Sequence, residues 1–136
     1  MPLKKTVMGI KKKISLYAMA LLYALAGINH FVNPETYYKI IPPYIGNVVF
    51  VNNLAGLAEL LLAALLFIPS MRKLACYGII AMLIAFIPTH IYMIQANCTG
   101  SFCLPEWILW IRLLLLQPLL VWWAYGNSKI TTQKPE

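Results

Sequence analysis

Four long apolar runs, separated by short polar or proline-bearing breaks, dominate the hydrophobic pattern of this chain, at residues 14–32, 48–68, 74–94 and 107–125. Each is close to the roughly 20 residues that a helix needs to cross a hydrocarbon core about 30 Å thick. Asn33-Pro34-Glu35 ends the first run, because proline disfavours helical geometry at the residue before it. Pro69-Ser70 ends the second, and a tight turn bearing Arg72 and Lys73 leads into the third. So short a turn makes runs two and three antiparallel neighbours. The pattern predicts an all-α, polytopic membrane protein: a four-transmembrane-helix bundle over 14–125, preceded by a basic segment 1–13 and followed by a polar tail 126–136. No internal repeat is visible.

Composition supports a lipid environment. Apolar residues make up 61% of the 136 and charged residues 11%, against roughly 45–50% and about 25% in a soluble domain. The net charge of +7 raises the question of nucleic acid, but the placement of the charge points elsewhere. Lys4, Lys5, Lys11, Lys12 and Lys13 precede the first run, Arg72 and Lys73 lie between the second and third, and Lys129 and Lys134 follow the last. Those nine stand on one side of the bundle, with Lys39 alone on the other and Arg112 inside the fourth run. The positive-inside rule then predicts both termini in the cytoplasm, in the inner (plasma) membrane of a cell, with the lipid bilayer as partner and no nucleic acid. The first run is longer than the apolar region of a signal peptide, about 7–15 residues, and no small-residue cleavage site ends it, so it reads as a retained helix. Tyr37, Tyr38 and Tyr44 in the first outer loop suit the headgroup layer.

Polar residues within the runs carry the candidate chemistry. A charge at membrane depth costs roughly 2.5–3.5 kcal/mol on insertion scales, so each needs a partner or a purpose. Glu59 is eleven residues into its run from the outer end, which at about 1.5 Å per residue places it roughly 16 Å deep, near the midplane. Arg112 lies in the outer half of span four, His90 near the outer end of span three, and Asn29 and His30 at the end of span one. Asn52, Gly56, Glu59 and Ala63 form one helical stripe, whose small residues admit a neighbouring helix. Tyr23, Gly27 and His30 form a second stripe, and Ile79, Leu83, Phe86 and His90 a third. The expectation is a polar site in the outer half of the bundle, anchored by Glu59 and Arg112, with Asn29, His30, Asn52 and His90 around it. A Glu59–Arg112 ion pair that merely holds the helices in register competes with a ligand- or proton-handling role. A His30–His90 pair of haem ligands is the weaker reading of the histidines.

Pro88 and Pro118 fall inside spans, where each frees the carbonyl four residues earlier, those of Ile84 and Leu114. Such kinks either border cavities or serve packing alone. Cys98 and Cys103 lie in the second outer loop, where an oxidising compartment favours a disulfide. A structural staple and an exchanging redox pair both remain open, although the spacing is not Cys-x-x-Cys. Cys76 reads as a buried free thiol. No nucleotide-binding glycine loop, metal-ligand set or hydrolase motif is present.

Gly27-Ile28-Asn29-His30-Phe31 with Asn33-Pro34, then Ile41-Pro42-Pro43-Tyr44, resembles the first-span and loop signature of DoxX-family membrane proteins. Gly56 with Glu59, Phe86 to Met93, and Arg112 with Gln117 and Trp122-Trp123 resemble its later spans. The resemblance implies a four-helix bundle in the bacterial inner membrane and a role as a membrane subunit or accessory protein of a redox system. With the polar site, it suggests binding of a small or lipid-soluble molecule, with quinone the candidate cofactor and a redox subunit or a second copy of the chain the candidate partner. A chain of 136 residues with no cofactor motif reads more readily as an accessory subunit than as a complete enzyme. Two other classes compete: a small proton-coupled transporter, and a non-catalytic membrane assembly factor. Against the transporter, a permanent Arg112 cation beside Glu59 would favour the ionised carboxylate and work against a proton cycle.

Overall fold

Helix starts and stops follow local chemistry. Asn47 precedes α3 (Val48–Leu66), and its side-chain oxygen accepts from the backbone N–H groups of Val49 and Phe50 at 3.0 and 3.1 Å. That satisfies two of the donors a helix leaves unpaired at its first turn. Gly46, before it, has φ 127°, a conformation that glycine adopts without steric cost. The computed structural model describes residues 8–96 and 104–130. Among these, α1 spans Ile10–Val32, the short α2 Pro34–Tyr38, α4 Arg72–Ala85, α5 Ile87–Ala96, α6 Glu106–Ile111 and α7 Gln117–Ser128. A π turn, Arg112–Leu116, joins α6 to α7. All regular structure among the described residues is helical.

Four stretches are long and apolar enough to cross a membrane: Ile10–Val32, Val48–Leu66, Pro69–Ala96 and Glu106–Ser128. The first begins earlier than the apolar pattern alone indicated, because α1 runs on through Lys11, Lys12 and Lys13. Lysine is a good helix former, so the hydrophobic edge and the helical edge need not coincide. Similarly, α7 continues to Ser128. The third stretch is interrupted at Phe86, two residues before Pro88, and the fourth takes its π turn just before Pro118. Both prolines thus distort their helices. At the first break the side chain of Gln117 donates to the Leu83 carbonyl at 2.9 Å, bridging α7 to the end of α4.

In space, α1 packs on α3, α3 on α4, α4 on α7, and α7 returns to α1, while α5 lies along α6 and the π turn. The core is a narrow column of Leu16, Met19, Ala20, Tyr23, Ala63, Leu66, Ala75, Cys76, Ile79 and their neighbours. Outside it, Leu21, Leu25, Leu54, Leu57, Leu61, Leu114 and Leu115 are more than half exposed. Such continuous apolar cover is what a bilayer requires and water penalises. Cys76 is free and fully buried, as expected. Cys98 and Cys103 lie outside the described residues.

Close approach of α1 and α3 rests on two glycines. A Cβ on Gly56 would meet His30 Cβ at 2.7 Å, and one on Gly27 would meet the Gly56 carbonyl at 2.9 Å. The stripes read from the sequence are the faces that meet: Tyr23, Gly27 and His30 are buried on α1, and Asn52, Gly56, Glu59 and Ala63 on α3. The third stripe holds only in part. Ile79 and Leu83 are buried, whereas Phe86 and His90 are half-buried, because the helix breaks between Ala85 and Ile87.

Candidate functional site

His30 stands in the last turn of α1, where a continuous helix would pair its carbonyl with the backbone N–H of the residue four places on. That residue is Pro34, which has no N–H. Asn52 of α3 supplies the missing donor: its Nδ2 gives a hydrogen bond to the His30 carbonyl at 2.9 Å. The same amide turns its Oδ1 to His30 Nδ1 at 2.6 Å. Both side chains are buried, Asn52 completely.

These two contacts set the imidazole's protonation pattern. Asn52 cannot be flipped without facing an oxygen to the His30 carbonyl, so its Oδ1 is the atom at Nδ1. An oxygen there can only accept, and Nδ1 therefore carries a hydrogen, an assignment made from the hydrogen-bond partners. The other ring nitrogen, Nε2, lies 3.3 Å from Glu59 Oε2. If neither atom held a proton, two lone pairs would face each other at that distance in a buried site. The arrangement calls for one proton between them, on the carboxyl or on the ring. The angle is not that of an aligned hydrogen bond, and Oε2 accepts none, so the contact is an electrostatic one with room to tighten.

Tyr37 of α2 covers this pair. Its ring stacks on the imidazole with centroids 3.7 Å apart and planes 21° apart. Asn29 Nδ2 donates to the Tyr37 hydroxyl at 2.7 Å, and Asn33 Nδ2 donates to Asn29 Oδ1 at 2.8 Å. Burial pushes the Tyr37 hydroxyl above its ordinary value and the Glu59 charge reinforces this, while the Asn29 hydrogen bond and the Arg112 charge oppose it. Below the pair, the Tyr23 hydroxyl is buried without a hydrogen-bond partner.

The structure brings together Asn29, His30, Asn52 and Glu59, and leaves Arg112 and His90 apart from them. Glu59 pairs with His30, and no Glu59–Arg112 ion pair forms within 4.0 Å. The reason is packing: the π turn that carries Arg112 lies against α5 and makes no contact with α3. The Arg112 charge is felt at His90, on α5, and at the Tyr37 hydroxyl, without pairing with Glu59. The two histidines are not brought together: His30 Nδ1 is held by Asn52 on the α1–α3 face, and His90 lies on α5, which makes no contact with α1.

Polar chemistry is not confined to the end of the bundle where the α1–α3 loop lies. At the opposite end, where α1 begins and α7 ends, Trp123 Nε1 donates to Ser15 Oγ and Ser15 Oγ to Asn127 Oδ1, each at 2.8 Å. Arg72 is buried there, and its Nε donates to the Leu66 carbonyl at 2.9 Å, a cation closing the C-terminus of α3. Reading charge by sequence position missed this, because a basic residue in a turn looks solvated. The role of Tyr37 was missed too, although the Pro34 turn beside an Asn-rich helix end was a usable signal.

Residues 19–127 match the model of a family described as a domain of unknown function (DUF8561), and the chain belongs to that family. This corrects the resemblance to DoxX proteins, since the stretch that carried it is assigned to another family. The shared residues, glycines at a helix contact and a proline-closed span, are common in closely packed membrane helices and do not single out one family. Neither the curated proteins nor the solved structures give a match.

Proposed function

We propose that this protein spans the cytoplasmic membrane four times, with both termini inside, and takes up and releases a proton at the His30–Glu59 pair, as a small proton-coupled carrier does. The observation that supports this best is the 3.3 Å contact between His30 Nε2 and Glu59 Oε2, with Nδ1 already committed to Asn52. A permanent cation at Glu59 would have held the carboxylate charged; an imidazole can exchange the proton with it. That Glu59 contacts His30 and not Arg112 supports proton handling over a carboxylate held charged by a fixed cation. Tyr37 stacks on His30 and is held by Asn29, so the proposed proton path to the outer aqueous phase runs past these two side chains.

A preformed pocket for a lipid-soluble molecule between α1 and α3 is harder to accommodate, because the Gly27–Gly56 contact brings the two backbones together at this level. Infrared difference spectra of the protein in lipid nanodiscs, stepped across neutral pH, test the proposal. A protonated-carboxyl band should change with pH, vanish in Glu59→Gln and shift in His30→Gln. If Glu59→Gln gives the parent spectrum, Glu59 does not exchange a proton and the proposal fails.

A further inference from the structure

At the end where α1 begins and α7 ends, the seam between these helices holds a cavity of about 280 Å³ that combines basic and indole side chains. Lys11 and Lys12 stand at its rim, Trp122 and Trp123 form a wall, and Ser15 and Asn127 lie in its floor. Most of the floor's donors are engaged inside the protein. Trp123 gives its N–H to Ser15, Ser15 gives its hydroxyl to Asn127, and Asn127 Nδ2 lies 3.4 Å from Met19 Sδ. The positive charge that an anion entering the cavity would meet comes from the two ammonium groups. Trp122, by contrast, is 71% exposed and offers an indole face that water does not favour.

We infer that this seam binds an anionic phospholipid, with the headgroup phosphate between Lys11 and Lys12 and the glycerol and upper acyl chain against Trp122. Charge and apolar surface together select this occupant. A soluble anion would neutralise the lysines and leave the indole wall bare, while a zwitterionic lipid would set its own cation against them. Indole rings are at home at headgroup level, and basic residues at a membrane surface attract anionic lipid. The lipid would also fill the join between the first and last helices of the ring. The inference is independent of proton exchange at His30–Glu59, which lies at the other end of the bundle.

Native mass spectrometry of protein released from nanodiscs made from mixed phosphatidylglycerol and phosphatidylcholine tests it. Phosphatidylglycerol should be retained over phosphatidylcholine, and Lys12→Gln should lose roughly fivefold in that affinity, the scale of one basic residue at an anionic surface. Trp122→Ala should also lose affinity, Lys12→Arg should keep it, and Lys73→Gln, away from the cavity, should leave it unchanged. Equal losses in Lys73→Gln and Lys12→Gln would reduce the effect to net charge and overturn the site. Absence of any lipid preference would do the same. An adduct of inorganic phosphate that survives Trp122→Ala would assign the cavity to a soluble anion instead.

Discussion

His30 is fixed from three sides, by Asn52 at Nδ1, by Tyr37 over its ring and by Glu59 at Nε2. Among the described residues, Glu59 is the only acidic one in the interior of a span. Helical spacing was enough to show which face of α3 is buried and that Glu59 lies on it. The identity of its partner was not legible, because it depends on which neighbour the fourth span turns towards, and the π turn at Arg112–Leu116 decides that. A pair of double-mutant cycles separates the two assignments. His30→Gln and Glu59→Gln should show a coupling of about 0.5–3 kcal/mol, whereas Arg112→Met and Glu59→Gln should add to within about 0.5 kcal/mol. Unfolding of all variants in one detergent supplies the values. Coupling to Arg112 and none to His30 would mean that the Glu59 side chain is misassigned.

Elements in this fold are positioned by glycine contacts and by chain breaks, and the two differ in how readily they are read. Stripes of small residues were visible, since a 3.6-residue period survives in any straight helix. The break at Phe86 took the third stripe off course, which periodicity alone does not anticipate. The glycines are not equivalent. An added Cβ at Gly56 meets His30 Cβ at 2.7 Å, an atom held by backbone and by the hydrogen bonds of the ring. One at Gly78 meets only the tip of Leu62, Cδ2 at 2.6 Å, which can rotate away. Overpacking of a rigid contact costs typically about 1–3 kcal/mol. Gly56→Ala should therefore fall in that range and disturb the His30–Glu59 contact, while Gly78→Ala should be close to neutral. Thermal unfolding of the two variants side by side gives the comparison. Equal losses would show that the α3–α4 contact is as unyielding as α1–α3.

For the molecule as a whole, four membrane-length helices follow from composition and run length, but their orientation rests on charge alone. By sequence position, nine basic residues precede the first span, lie in the α3–α4 turn or follow the last span, against Lys39 in the α1–α3 connection. The structure adjusts that count without reversing it: Arg72 is buried against the Leu66 carbonyl, so its charge helps to close α3. With Arg72 set aside, eight still oppose one, an asymmetry of the kind that sets orientation when basic residues lie within about 15–20 positions of a span's end. Single cysteines placed at Tyr38 and at Ile130, in a background where Cys76, Cys98 and Cys103 are replaced, turn this into a measurement. In intact cells a membrane-impermeant maleimide should modify the cysteine at 38, and the one at 130 should react only after the cells are opened. Moving the charge should move the outcome: Lys11, Lys12 and Lys13 exchanged for Gln, with Tyr44→Lys and Asn47→Lys added, should yield a population labelled at 130 from outside. Labelling at 130 in the unaltered chain would place the termini outside. The His30–Glu59 pair would then face the cytoplasm through Tyr37, and its proton would come from that side.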